Sequence, residues 1–182
     1  YDNQGENLLA LKNSKKLNQA VSGILDLIPE SIIFCAPHAN SYHRFEENSY
    51  APINATWGKD NRTTALRIPS GNEDSTRIEH RLSGADANPY LVMAMLISGF
   101  LHGFEEDPEI PPETVGNGYE DGSRPLPQSW EAALDLFQNK SRLSSILGQE
   151  FSTLYTQLKS GEQKRFRRVI TPHEYDWYLH TV

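Results

Sequence analysis

Four arginines and a glutamate fall within NRTTALRIPSGNEDSTRIEHR, residues 61–81: Arg62, Arg67, Arg77, Glu79 and Arg81. Guanidinium groups stay charged at ordinary pH and present a planar fork of donors, so several together suit phosphate and carboxylate oxygens. A carboxylate among them adds an oxygen donor for a divalent cation. Side chains alternate across a strand, which sets Arg77, Glu79 and Arg81 on one face and Ile78, His80 and Leu82 on the other. Arg62 and Arg67 then begin and end the preceding strand. Arg44, in the NSYHR segment ahead of these strands, adds a further guanidinium. Pattern alone leaves a second reading open, an exposed cross-strand salt-bridge ladder that contributes little. Glu79 alone makes a poor magnesium site, because magnesium takes several oxygen ligands in octahedral geometry.

Helices must carry these strands. Residues 13–35 place Leu17, Val21, Ile24, Leu25 and Ile28 at helical spacing, and Pro29 predicts a break before a second short segment. Residues 36–55 read as a long connection rich in Pro, Asn and Ser, and SGNEDS (70–75) as the turn between the two strands. Asp86 or Asn88 can cap the next helix, Pro89 to Phe104, which is apolar nearly all round and is expected to be buried. Residues 105–127 hold five of the eleven prolines and read as an exposed loop. Helices are predicted over 128–139, 141–159 and 171–181, the last capped by Thr171 with Pro172 as its first residue. Trp130, Leu134, Phe137, Phe151, Leu154, Tyr155 and Leu158 follow helical spacing as core residues.

A chain of 182 residues suits one domain with a usable core. Its net charge of -7 argues against nucleic acid as a partner, since phosphate binding needs a basic field. The longest apolar stretch, Leu91 to Phe104, is interrupted by Ser98, Gly99 and His102, so no membrane span is expected. The single cysteine, Cys35, excludes an intrachain disulfide and fits a cytoplasmic protein; its apolar setting, SIIFCAP, predicts a buried inert thiol. The six histidines show no HExxH spacing, and the chain has no glycine-rich phosphate loop, GxSxG elbow or paired-cysteine site.

The quoted segments resemble the second half of the glutamine synthetase catalytic domain. ANSYHRF (39–45), NRTTALRIP (61–69), RIEHR (77–81), GADANPYLVMAM (84–95) and TPHEYDWY (171–178) follow that family's order, so the resemblance covers essentially all of residues 1–182. It implies an α+β fold, with a few antiparallel strands packed with several helices. It also implies an ATP-dependent carbon–nitrogen ligase that forms γ-glutamyl phosphate and passes the glutamyl group to an amine or ammonium. The cofactors implied are ATP and Mg2+ or Mn2+. By the same resemblance Arg44, Arg62 and Arg81 hold glutamate, with Arg62 also on the transferred phosphoryl group. Arg67 and Arg77 then face ATP, and Glu79 is a metal ligand. A ring-like homo-oligomer is implied for the full-length protein.

Departures from the pattern refine the expectation. Ordinary glutamine synthetases carry a glutamate six residues after the NSY-x-R arginine, on a flap that holds and deprotonates ammonium. Tyr50 stands there in this chain, and Glu46, Glu47 and Asn48 replace the usual VPG. ATWG (55–58) and GADANPYLVMAM look most like the γ-glutamylputrescine and related γ-glutamyl-amine synthetases. Glutamate and an alkylamine or polyamine are therefore the expected substrates; an ordinary glutamine synthetase using ammonia and a non-catalytic pseudoenzyme or assembly module are the alternatives. Asp74 replaces an ATP-contacting lysine. Tyr119, in NGYED, falls near a tyrosine that some bacterial members adenylylate, although an ordinary loop tyrosine is the default reading. The resemblance also places an N-terminal β-grasp domain and the other metal ligands upstream of Tyr1. It predicts that these residues alone are inactive and leave an apolar sheet face uncovered.

Overall fold

The computed structural model describes every residue except Asp2, Lys140 and Val182, and not the side chains of Leu11 and Ser141. The apolar run near the N-terminus sets the core, because it is hydrophobic on more than one face and must be surrounded. It forms one helix, α1 (Ser14–Cys35), which packs against α2 (Pro89–Glu106), α3 (Trp130–Asn139) and α4 (Ser141–Leu147). The expected break at Pro29 does not occur. An internal proline costs roughly 3 kcal/mol through its missing N–H and ring clash. Ile24, Leu25, Leu27, Ile28, Ile32 and Ile33 are fully buried around it, and that burial outweighs the local penalty.

Phe34, near the end of α1, meets Phe137 of α3 at 5.3 Å and Tyr155 at 4.9 Å, both edge-on. Tyr155 belongs to α5 (Gln149–Phe166), so three helices converge on one ring. The predicted helix over 141–159 is in fact two, divided at Gly148, whose φ of 91° is the left-handed region that glycine tolerates. Helix α5 turns Ser152, Tyr155, Lys159 and Gln163 inward and leaves Leu154 and Leu158 at 60% and 53% exposure, against expectation. The buried polar ends are satisfied. Lys159 Nζ donates to the Pro37 carbonyl at 3.2 Å and to Glu162 at 2.8 Å, and Gln163 donates to the Trp130 carbonyl at 3.0 Å.

Helix α2 also departs from its predicted burial. Asn88 accepts from the N–H groups of Tyr90 and Leu91 as its cap, and Met95, Ser98, Gly99, His102 and Gly103 are buried. Tyr90, Met93, Ile97, Leu101 and Phe104 form an exposed stripe at helical spacing. The uncovered apolar face thus belongs to α2 and not to the sheet, whose Trp57, Leu66 and Ile68 are buried. The last helix, α6 (Pro172–Tyr178), begins with the expected Thr171 cap, reinforced by a reciprocal bond from Glu174.

The sheet has three short strands in the order β1 (Trp57–Lys59), β2 (Leu66–Ile68), β3 (Glu79–His80). The antiparallel expectation holds for β2 and β3, while β1 runs parallel to β2. Among the described residues no helix is long and apolar enough to cross a membrane. Cys35 is buried as expected, and burial pushes its thiol up to about 11. Ellman's reagent should leave the native protein unlabelled and modify one thiol per chain after denaturation. Rapid labelling without denaturant would contradict this placement.

Candidate active site

Strand register brings two of the predicted residues face to face. Arg67 on β2 lies opposite Glu79 on β3, and the Arg81 backbone N–H donates to the Ala65 carbonyl at 3.0 Å, continuing the pairing. Glu79 therefore sits between two guanidiniums. Arg67 Nη1 donates to Glu79 Oε2 at 3.1 Å, and Arg81 Nη1 donates to Oε1 at 2.7 Å. The hydrogen bond from Arg81, followed by the charges of Arg67 and Arg81, holds the Glu79 carboxyl below the ordinary carboxylate range. Both arginine side chains are 17% exposed. Their Nε groups are buried and without a hydrogen-bond partner. Buried donors of this kind are costly unless an acceptor meets them.

Arg81 also reaches the flap. Its Nη2 donates to the Tyr50 carbonyl at 3.0 Å. Asn48 and Tyr50 both take positive φ, 63° and 59°, and the Tyr50 side chain is 66% exposed. Glu46 and Glu47 are exposed on the same flap.

The remaining predicted residues are dispersed. Arg62 does not open a strand; it is exposed in the turn before β2. That turn is fixed by Asn61, whose Oδ1 accepts from Thr63 N–H at 3.0 Å and whose Nδ2 donates to the carbonyls of Thr114 and Gly116. Arg77 precedes the two-residue β3 and donates to the Ser75 carbonyl at 3.3 Å, apart from the Glu79 cluster. It lines a cavity of about 640 Å³ with Asp74, Phe100 and Phe104, a size typical of small-molecule pockets. NSYHR lies in a 3-10 turn, Ala39–Arg44. Arg44 Nη2 donates to the carbonyls of Cys35 and Leu82, and its guanidinium lies 4.1 Å from the centre of the Phe45 ring. It borders a second cavity, of about 480 Å³, with Asn40, His43 and Asp86. Burial, with the charge of Arg44 nearby, pushes His80 down to about 4, so it is neutral at ordinary pH.

One member of the cluster escaped sequence reading. Asp60 Oδ1 accepts from Arg67 Nη2 at 3.1 Å and from the Ser70 N–H at 2.9 Å, and its Oδ2 accepts from the Ser70 hydroxyl. Seven residues separate it from Arg67, and an aspartate before an asparagine reads as ordinary turn chemistry. Tyr119 is only 9% exposed and its hydroxyl is buried, so the structure does not present it for modification.

The metal expectation meets a limit. Both Glu79 oxygens are engaged by arginine, and no group of three or more His, Cys, Asp or Glu among the described residues is placed to hold a metal ion. These residues alone do not fit a Mg2+ or Mn2+ site, since Glu79 offers at most one of the oxygens required.

The model of the glutamine synthetase catalytic domain matches residues 2–178. The chain is 41% identical over 181 residues to the γ-glutamylputrescine synthetase PuuA of Escherichia coli, covering 98% of this chain and 38% of that protein. It is 36% identical over 180 residues to a γ-glutamylethanolamide synthetase of Streptomyces coelicolor, again covering 98% and 38%. The solved structure of GmaS without ligand superposes with a TM-score of 0.85 at 25% identity, over 99% of this chain and 43% of that one. The chain thus spans about two fifths of the length of the curated relatives it matches. With its helices packed against a small mixed sheet and its sequence matched nearly end to end, the chain belongs to the glutamine synthetase catalytic-domain family.

Proposed function

We propose that this chain is the C-terminal portion of the catalytic domain of an ATP-dependent glutamate–amine ligase. The observation that carries the reading is the Arg67–Glu79–Arg81 cluster, two guanidiniums on one carboxylate at 3.1 and 2.7 Å, in a chain matched over residues 2–178 to the glutamine synthetase catalytic domain.

In the proposed reaction a γ-carboxylate oxygen of glutamate attacks the terminal phosphorus of ATP and ADP leaves. The amine nitrogen then attacks the acyl carbon of γ-glutamyl phosphate, phosphate departs, and the nitrogen loses a proton. Such chemistry depends on positioning and on neutralising charge spread over phosphoryl oxygens. Arg44 and Arg81 are assigned to glutamate, Arg62 to glutamate and the transferred phosphoryl group, and Arg67 and Arg77 to ATP. The cavity beside Arg77 has room for a nucleobase against Phe100 and Phe104. Glu79 is assigned as one metal oxygen; further donors come from outside these residues, and no step here runs through the metal. The same reading carries a ring-like homo-oligomer, for which the exposed aromatic α6 supplies surface.

An alkylamine or polyamine is the proposed acceptor, supported by the names of the two synthetases above and by Tyr50 on the flap that Arg81 holds. Tyr50 offers an apolar face and no negative charge to attract ammonium. The test is ATP hydrolysis by the full-length protein with glutamate, Mg2+ and a panel of amines. Stimulation by putrescine or another alkylamine above ammonium is expected. Tyr50→Glu should move the preference toward ammonium by about tenfold, the equivalent of about 1.4 kcal/mol. Stimulation by ammonium alone would return the protein to ordinary glutamine synthesis. No stimulation by any amine would favour a non-catalytic module.

A further inference from the structure

Asp60 lies outside every assignment made above, yet it is bonded directly to the cluster. It follows β1 with a φ of 49°, a conformation that a non-glycine residue adopts at some cost. Its backbone N–H donates to the Ile68 carbonyl at 3.0 Å, and its carboxylate takes both the N–H and the hydroxyl of Ser70. The group is therefore fixed to the far end of β2 through backbone and side chain together. From that anchor it holds Arg67 Nη2 at 3.1 Å while Glu79 holds Nη1 at 3.1 Å. A long side chain with many rotamers is thereby fixed at both ends of its fork.

The charges alternate along the chain of contacts: Asp60, Arg67, Glu79, Arg81. Two carboxylates balance two guanidiniums, so the cluster is neutral as it stands. Without Asp60, Arg67 would keep one partner and could swing about the Nη1–Glu79 bond. The guanidinium face that is proposed to meet substrate oxygens would swing with it. A shift of about 1 Å in such a group can cost on the order of a hundredfold in rate.

We propose that Asp60 is a positioning residue, which orients the Arg67 guanidinium toward the nucleotide phosphates through the Asp60–Arg67–Glu79 bridge. This inference rests on the proposed ligase reading. Asparagine tolerates positive φ, and its Oδ1 can still accept from both the Ser70 N–H and Arg67 Nη2, so Asp60→Asn removes the charge while leaving the turn and an acceptor for Arg67. Asp60→Gly relieves the strained φ and removes the carboxylate as well.

The experiment measures steady-state turnover and thermal unfolding of the full-length protein. Asp60→Gly, which removes the acceptor, is expected to lower kcat/KM for ATP by at least about tenfold, with KM for the amine unchanged, and Asp60→Asn, which keeps an acceptor, should lose less. The melting temperature should not fall in Asp60→Gly. In an Arg67→Ala background Asp60→Gly should have no further effect, because the group it positions is gone. Glu113→Gln, which removes the charge from the neighbouring ion pair with Lys59, should leave turnover unaltered. Full turnover by Asp60→Gly, or an equal loss with and without Arg67, would overturn the inference while leaving the ligase reading intact. Full turnover by Arg67→Ala, or none by the unaltered protein with any amine, would overturn both.

Discussion

Replacing Gly103 by alanine is expected to destabilise the protein by about 3 kcal/mol, near the upper end of the usual overpacking range. A melting temperature lower by roughly 10 °C should accompany it. Gly103 lies where α2 crosses α1, and a Cβ there would run into the Gln19 carbonyl oxygen. Gly23 on the facing helix would meet the backbone of Gly99 and Gly103, and a Cβ on Gly99 would lie 2.8 Å from the Ile24 Cα. The obstacles are mostly backbone atoms, so no side-chain rotamer change can make room. Relief requires the helices to separate, which would loosen Ile24, Leu25 and Ile28 as well. Gly161→Ala in α5 supplies the opposite sign. Nothing lies within 4 Å of its added methyl, and the gain in helix propensity should stabilise by about 0.5–1 kcal/mol. Denaturant unfolding of the two variants checks both; a neutral Gly103→Ala would mean that the helices do not approach this closely.

The same glycines show why part of the fold was legible in the sequence and part was not. Helical spacing located α1 and α2, and cap chemistry located Asn88 and Thr171, because those signals are local. Passage of α1 through Pro29 is decided by surrounding residues from α2, α3 and α4, which no local rule contains. For α5 the spacing puts Leu154, Tyr155 and Leu158 together in the core; the folded helix takes a second arrangement, with Tyr155 and Lys159 buried and both leucines outside. The second won because the Pro37 and Trp130 carbonyls are there to receive its polar ends. The uncovered stripe on α2 has a related origin: its composition calls for partners on both sides, and α1 covers one.

The site divides in the same way. Alternation along a strand is a short-range rule, and it correctly joined Glu79 to Arg81. It wrongly added Arg77, because β3 lasts only two residues and the chain turns before it. The pairing of Arg67 with Glu79 needed the register of β2 against β3, which sequence spacing alone does not fix. Asp60 needed the parallel placement of β1 beside β2, a third strand that the pattern did not reveal.

Arg81→Lys is expected to lower kcat/KM for glutamate in the full-length protein by on the order of a hundredfold or more, about 3 kcal/mol, with little change in fold. Exposed ion pairs contribute far less than that, and on this ground the bland salt-bridge ladder and the active-site reading part company. The geometry makes the lysine a poor substitute. Arg81 bonds Glu79 with one Nη and the Tyr50 carbonyl with the other, two fixed directions from one planar fork. An ammonium on a flexible stem can replace one of those contacts in good geometry, but not both directions at once. The flap carrying Tyr50 should also loosen, raising KM for the amine together with that for glutamate. Circular dichroism and thermal unfolding would establish that the fold survives, and steady-state assays with glutamate and putrescine would supply the rates. A loss of less than about threefold, under 1 kcal/mol, would place Arg81 with ordinary surface ion pairs. That result would remove the main support for glutamate binding beside Glu79.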